Sequence, residues 1–135
     1  MYLDMALTAA SYSESRELKV GSLVVLDDQI LSIGINGTPP GWETNECDYI
    51  NEQGILTTRP EVDHSEANAI QKLTRCTISS KGSTMFCTHA PCLPCAKLIA
   101  GAGISALYYI TDYKSQDGIL YLRKRNVVVE KVEIN

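Results

Sequence analysis

Apolar positions recur along this chain in two rhythms, one of three to four residues and one of two, and their alternation predicts the elements. Leu3, Leu7 and Ala10 share one face of an opening helix that ends near Ser13. Residues 20–26 and 29–35 read as strands, with Asp27-Asp28 as the tight turn of a hairpin. Asn36-Gly37-Thr38-Pro39-Pro40-Gly41 puts two glycines and two prolines into six residues, which predicts a defined loop without regular structure. From Trp42 to Pro60 the chain is polar and weakly periodic; a loop of that length in so short a chain is functional or mobile. Ile70 and Leu73 mark the buried side of a helix over 64–75. A strand at 83–88, a helix at 93–100 stopped by Gly101 and Gly103, and a strand at 104–110 follow. A helix at 115–125 and a strand at 127–132 complete the order α-β-β-α-β-α-β-α-β. Strands alternating with helices predict parallel pairing in the second half, hence an α/β fold.

The chain has 135 residues, which fits one domain over 1–135 with one core. Apolar residues make up 44% and charged residues 21%, ordinary for a soluble globular protein. No apolar run reaches the length of about 18 residues that a membrane span needs. Met1-Tyr2-Leu3-Asp4 lacks the basic and apolar regions of a secretory signal, so a cytoplasmic location is the expectation. The net charge of −4 argues against a polymeric nucleic-acid partner. A small anionic substrate would need a local positive spot, for which Lys19, Arg16 and a bound metal are the candidates. The cysteines number five (Cys47, Cys76, Cys87, Cys92, Cys95), and an odd count without a signal argues against a disulfide framework.

Two segments carry chemistry: His64-Ser65-Glu66 and Pro91-Cys92-Leu93-Pro94-Cys95. His64, Cys92 and Cys95 offer three zinc ligands. A structural zinc site is closed by four ligands, whereas three leave a corner for water, the catalytic arrangement. Whether a fourth ligand closes the site decides between the two. His89 could compete as a ligand, although side-chain alternation along its strand suits a pocket-lining or surface position better. On an ideal helix residues 64 and 66 lie about 200° apart, so both can serve one metal only if His64 sits at the helix entrance. Asp63 is the expected N-cap there. Cys92 and Cys95 share a face, and Pro94 suits a first helical turn. Two helix N-termini would then converge on the metal, and their positive ends favour thiolate and carboxylate.

Glu66 has a bland reading as the far member of a capping box with Asp63, and a sharper one as a general acid–base beside zinc. Cys92 and Cys95 have a redox reading, which would place the pair after the first strand of a βαβ unit rather than late in the chain. Cys76 and Cys87 read as small core or loop residues; Cys47 is left open.

His-x-Glu followed by Pro-Cys-x-x-Cys resembles the signature of zinc nucleobase deaminases. Over nearly the whole length the chain is similar to the deoxycytidylate (dCMP) deaminase family. Lys19-Val20-Gly21 resembles that family's opening strand, and Gly34 to Gly41 its Gly-Tyr-Asn-Gly-x-Pro-x-Gly loop. Cys47-Asp48-Tyr49 with Glu52-Gln53-Gly54 is similar to a segment of phage members. His64-Ser65-Glu66-Ala67-Asn68-Ala69-Ile70 resembles His-Ala-Glu-x-Asn-Ala-Ile, with Ser65 in place of alanine.

The resemblance implies a cytidine deaminase-like three-layer α/β/α fold around a central mixed five-stranded sheet. It implies hydrolysis of dCMP to dUMP and ammonia, with one Zn²⁺ per chain and Glu66 carrying the proton. Asn36 would hydrogen-bond the deoxyribose, Thr88 and Ala90 would line the cytosine pocket, and Tyr113 would close over the sugar-phosphate. Lys19, then Arg16, are the expected phosphate contacts, against a plain reading of Lys19 as a solvated charge. The family also implies a homo-oligomer, often a hexamer, activated by dCTP and inhibited by dTTP, with Mg²⁺ accompanying a triphosphate effector. Gly37, Pro39, Gly41 and Arg75 are the candidates for that effector site, Arg75 having an equal claim as an ordinary helix C-terminal cation. No second, structural zinc is expected, because no spare histidine lies in 37–61 and no cysteine precedes Lys19. A tRNA adenosine deaminase, a free-base cytosine deaminase and a non-catalytic zinc module are the competing readings. The acidic chain, with a single Phe and a single Trp, does not suit an RNA reader.

Overall fold

A computed structural model describes residues 1–134. The elements run α1 (Tyr2–Ala10), β1 (Gly21–Leu26), β2 (Gln29–Ile35), β3 (Asp48–Ile50), β4 (Leu56–Thr58) and α2 (Ser65–Thr74). Then come β5 (Thr84–His89), α3 (Leu93–Gly101), β6 (Ala106–Thr111), α4 (Asp117–Lys124) and β7 (Val128–Lys131). Five strands form one sheet in the order β2-β1-β5-β6-β7. The β2–β1 and β1–β5 pairs are antiparallel, and β5–β6 and β6–β7 are parallel. This is the mixed sheet expected, with its parallel half second.

Side-chain alternation sets the layers. Leu23, Val25 and Phe86 point to one face, where Ala6 and Tyr2 of α1 cover them. Val24, Met85, Cys87, Leu107, Tyr109 and Val129 point to the other. Ala69, Ile70 and Leu73 of α2, Ala96 and Ile99 of α3, and Ile119 and Leu122 of α4 fill that side. A slip of one residue in β1 would exchange the two sets, so burial on both faces fixes the register. Asp27 and Asp28 both have positive φ, 51° and 61°, as a two-residue hairpin turn demands.

The main departures from expectation are two helix ends and one loop. The first helix stops at Ala10, and Ser13 instead donates its hydroxyl to the Asn36 carbonyl oxygen at 2.8 Å. The last helix starts at Asp117, whose amide bonds the Ser115 hydroxyl at 3.2 Å. The polar stretch read as one long loop contains the β3–β4 hairpin. Its turn is organised by Asn51, whose Oδ1 accepts the amides of Gln53 at 3.0 Å and Ile55 at 2.9 Å. No helix among the described residues is long and apolar enough to cross a membrane.

Gly34 sets the height of α2 above the sheet. A Cβ there would be driven into the backbone carbonyl oxygen of Ser65 and would lie 2.7 Å from the amide nitrogen of Ala69. Only a residue without a side chain permits that approach. We expect Gly34→Ala to lower the unfolding free energy by about 1–3 kcal/mol, the usual cost of overpacking, as read by denaturant melts.

Candidate active site

α2 and α3 both begin at one end of the sheet, and each begins on a residue with a ligating side chain. His64 is the N-cap of α2 at φ −67°, ψ 154°, and Cys92 is the N-cap of α3 at φ −70°, ψ 169°. Both are extended, so neither obeys helical spacing, and His64 escapes the angular conflict with Glu66. Asp63 does not cap the helix as expected. Its backbone pairs with Gly37 instead, through Asp63 N–H to O at 2.8 Å and Gly37 N–H to O at 3.1 Å. That bridge ties the Pro-Gly loop to the start of α2. Pro94 lies in the first turn of α3, and Gly118 lets α4 press against the segment before it, where a Cβ would lie 3.0 Å from the Cys92 carbonyl oxygen.

The donor atoms of His64, Cys92 and Cys95 lie within 4.8 Å of one another. His64 Nδ1 is 3.3 Å from Cys95 Sγ and 3.4 Å from Cys92 Sγ. A tetrahedral Zn²⁺ with its usual bond lengths separates nitrogen and sulfur ligands by about 3.5 Å. The spacing therefore fits zinc with little adjustment. Among the described residues this group contains only these three donors. His89 is outside it, its Nδ1 hydrogen-bonded to the Thr88 hydroxyl at 2.8 Å and its basicity lowered by burial.

The electrostatics match a cation site. The Cys92 thiol is held down to about 4, first by the Cys95 thiol beside it and then by His64, against partial burial. Cys95 is shifted up, because its proton is shared with the Cys92 sulfur and because it is buried. The pair thus keeps one proton and one negative charge at neutral pH. His64 is raised, chiefly by its bond to Cys92. Glu66 is 4% exposed, and burial pushes its carboxyl up. The Ser65 hydroxyl, which donates to Glu66 Oε1 at 2.8 Å, opposes that shift. No cap bond from Glu66 to the Asp63 backbone exists among the described residues.

A cavity of about 50 Å³ lies over the donors, lined by Leu18, Val20, Glu66, His89, Ala90 and Tyr113 among others. It adjoins a cleft of about 480 Å³, within the range of small-molecule sites, which shares Leu18, Val20, His64, His89 and Tyr113. Asn36 lines the cleft, but its amide also spans the chain entering β1, accepting from Val20 N at 2.9 Å and donating to the Leu18 carbonyl at 2.7 Å. Its second amide hydrogen has no protein partner among the described residues. Ala90 faces the small cavity with its amide already given to Thr111 at 2.8 Å. Thr88 is buried, and its hydroxyl accepts from Gly21 N at 3.1 Å rather than facing the cleft.

The phosphate candidates fare differently. Lys19 is exposed and lines none of these cavities. Arg16 borders a separate hollow with Glu14 and residues 44–48, its backbone amide bound to Asp48 at 2.6 Å. Lys114, which the sequence reading passed over, is the single Lys or Arg lining the cleft. Thr58 and Val62 supply a wall from the hairpin region. Gly37, Pro39 and Gly41 border a third cavity of about 310 Å³ with Tyr12, Asn68 and Lys72. Arg75, the exposed C-cap of α2, does not reach it.

A mixed sheet with a His/Cys/Cys donor group and a buried carboxylate beside it defines a zinc hydrolase site of the deaminase type. The family model of the cytidine and deoxycytidylate deaminase zinc-binding region matches residues 1–111, and the chain belongs to that family. The crystal structure of dCMP deaminase from the cyanophage S-TIM5 in complex with dCMP and dUMP superposes with a TM-score of 0.91 at 42% identity. That match covers 97% of this chain and 93% of the other. Deoxycytidylate deaminase of Enterobacteria phage T4 is 31% identical over 82% of this chain and 76% of its own length. ComE operon protein 2 of Bacillus subtilis (strain 168) is 32% identical over 87% of this chain. The match spans 62% of the Bacillus protein.

Zinc entry must expel the proton held between the two thiols, and any proton on the His64 ring as well. Zinc affinity of the metal-free protein should therefore rise with pH, by about tenfold per unit for each proton displaced. Calorimetry in buffers of different ionisation enthalpy will show net proton release at pH 7.

Proposed function

We propose that this protein hydrolyses dCMP to dUMP and ammonia, supplying dUMP for thymidylate synthesis, with residues 1–135 acting as one deaminase domain. The observation that carries this reading is the three-donor group with buried Glu66 in a small cavity that adjoins a nucleotide-sized cleft. The similarity to a dCMP-bound phage enzyme supports the choice of substrate. His64, Cys92 and Cys95 hold the zinc. When bound, Zn²⁺ supplies an acidified water, with a pKa near ~7, as the nucleophile.

Everything else falls to side chains. Glu66 takes the water's proton and delivers it to ring N3, then takes the second proton from the new C4 hydroxyl and passes it to the departing amine, so that the C4 carbonyl forms as ammonia leaves. Its burial suits the task, because a carboxyl pushed above its ordinary range by desolvation accepts a proton more readily than an exposed one. Tyr113 and His89 wall the ring, and Asn36 offers its free amide hydrogen to the sugar. Lys114, beside Tyr113 at the cleft mouth, replaces Lys19 and Arg16 as the phosphate contact.

The cavity bordered by Gly37, Pro39 and Gly41 has Lys72 on its wall and room for an effector such as dCTP or dTTP with Mg²⁺. Exposed Ile78 and Leu98 are consistent with a homo-oligomer.

Glu66→Gln should keep its zinc and lose about 10²–10⁴-fold in kcat, measured as ammonia released from dCMP. Lys114→Ala should raise KM for dCMP about 10–100-fold, the worth of a charge-assisted hydrogen bond, and leave deoxycytidine turnover nearly unchanged. Lys19→Ala should leave KM for dCMP unchanged in the same assay.

A further inference from the structure

From Ser65, at the wall of the small cavity, a line of buried polar groups runs from Glu66 into the sheet. Ser65 Oγ donates to Glu66 Oε1 at 2.8 Å. Ser22 Oγ, from β1, lies 2.6 Å from Ser65 Oγ, and Cys87 Sγ, from β5, lies 3.2 Å from Ser22 Oγ. Ser22, Ser65 and Cys87 all have no exposed surface.

Counting hydrogens gives the line a direction. Ser65 has one hydroxyl hydrogen, and it goes to the carboxylate. The hydrogen between the serines must then belong to Ser22, and that between Ser22 and Cys87 to the thiol. Cys87 keeps its proton because burial disfavours its thiolate. Each link therefore donates toward Glu66, and none can reverse while the carboxylate is charged.

We propose that Ser65 and Ser22 form a positioning relay that fixes the Glu66 carboxylate to the sheet through Oε1, leaving Oε2 to carry the proton in catalysis. Ser65 is the only side chain among the described residues that hydrogen-bonds Glu66. Because the anchor runs through β1, the carboxylate is aligned to the rigid centre of the sheet as well as to its own helix. Ser65 is thus more than a spacer between a ligand and an acid–base residue.

The simpler view is that the two serines only satisfy each other where α2 meets β1. Ser32 separates the two views. It too is a buried serine bonded to α2, donating to the Ala69 carbonyl at 2.8 Å, but it has no link to Glu66. The proposal rests on the dCMP deaminase reading, and the experiment has a readout independent of it. Ser65→Ala, Ser22→Ala, the double variant and Ser32→Ala are assayed for kcat and KM on dCMP and for zinc per chain, and zinc-loaded Ser65→Ala is crystallised.

We expect Ser65→Ala to lose about tenfold in kcat, the worth of one hydrogen bond, with KM within about twofold and zinc retained. Ser22→Ala should lose less, and the double variant no more than Ser65→Ala, since Ser22 acts only through Ser65. Ser32→Ala should melt earlier but keep its kcat. In the crystal the Glu66 carboxylate should leave its place or split between positions. An unchanged kcat in Ser65→Ala, an equal loss in Ser32→Ala, or a Glu66 carboxylate that stays put would overturn the relay. If wild-type protein releases no ammonia from dCMP yet Glu66 shifts in the Ser65→Ala crystal, the substrate reading falls and the relay stands.

Discussion

The site depends on two helices that begin at one point with their first residues still extended. An N-cap projects its side chain ahead of the helix, where the unpaired amides create positive potential. His64 and Cys92 both occupy that position, so imidazole and thiolate meet in front of two helix ends. The Cys92 thiol is depressed there chiefly by the Cys95 thiol and by His64, with the Cys95 amide of the first turn adding to it. Cys95 adds the third donor from the first turn of α3, and Glu66 enters from the first turn of α2. Were either helix to start one residue earlier, its donor would turn onto the helix wall and the group would open.

Holding the two starts together is the work of backbone approach. Gly34 lets α2 lie against β2, and Gly118 lets α4 press on the turn that leads into α3. The Gly37–Asp63 bridge pins the residue just before His64. These contacts are between main chains, so they set position more tightly than side-chain packing could. The antiparallel hairpin of β1 and β2 brings Gly34 and Ser22 under α2 by the same register that buries Val24.

The chain announced some of this and hid the rest. The strands and helices of the main sheet were legible because each has a clear period and stop signals. The donors were legible because a His-x-Glu and a Cys-x-x-Cys are local patterns. The β3–β4 hairpin was not: each strand has only three residues, Tyr49 and Ile50 are exposed, and its turn rests on Asn51 rather than a glycine pair. Asp63 looked like a cap because the alphabet of caps is short, yet its backbone was claimed by Gly37, a partner 26 positions away. The Ser22–Ser65–Glu66 line joins distant segments, and serines give no periodic signal. Lys19, with Arg16 second, stood out because it adjoins a recognisable strand opening, and nothing local marks Lys114, which lies on the wall of the folded cleft.

An acidic chain can still present positive charge at one place on its surface. The net charge of −4 says little about the potential at one cleft, because pairing redistributes it. Asp112 lines the cleft, but Lys131 binds it at 2.8 Å and holds its carboxyl below the usual range, with the Tyr109 hydroxyl on its other oxygen at 3.2 Å. Glu17 is drawn toward the hairpin by the Thr58 hydroxyl at 3.0 Å. Lys114 makes no ion pair among the described residues and sits 5.7 Å from the centre of the Tyr113 ring. The acids at the mouth are thus engaged by protein partners while the cation is free to move. The cleft therefore offers one unpaired positive charge on a flexible stem, the charge that the phosphate of the proposed substrate would meet.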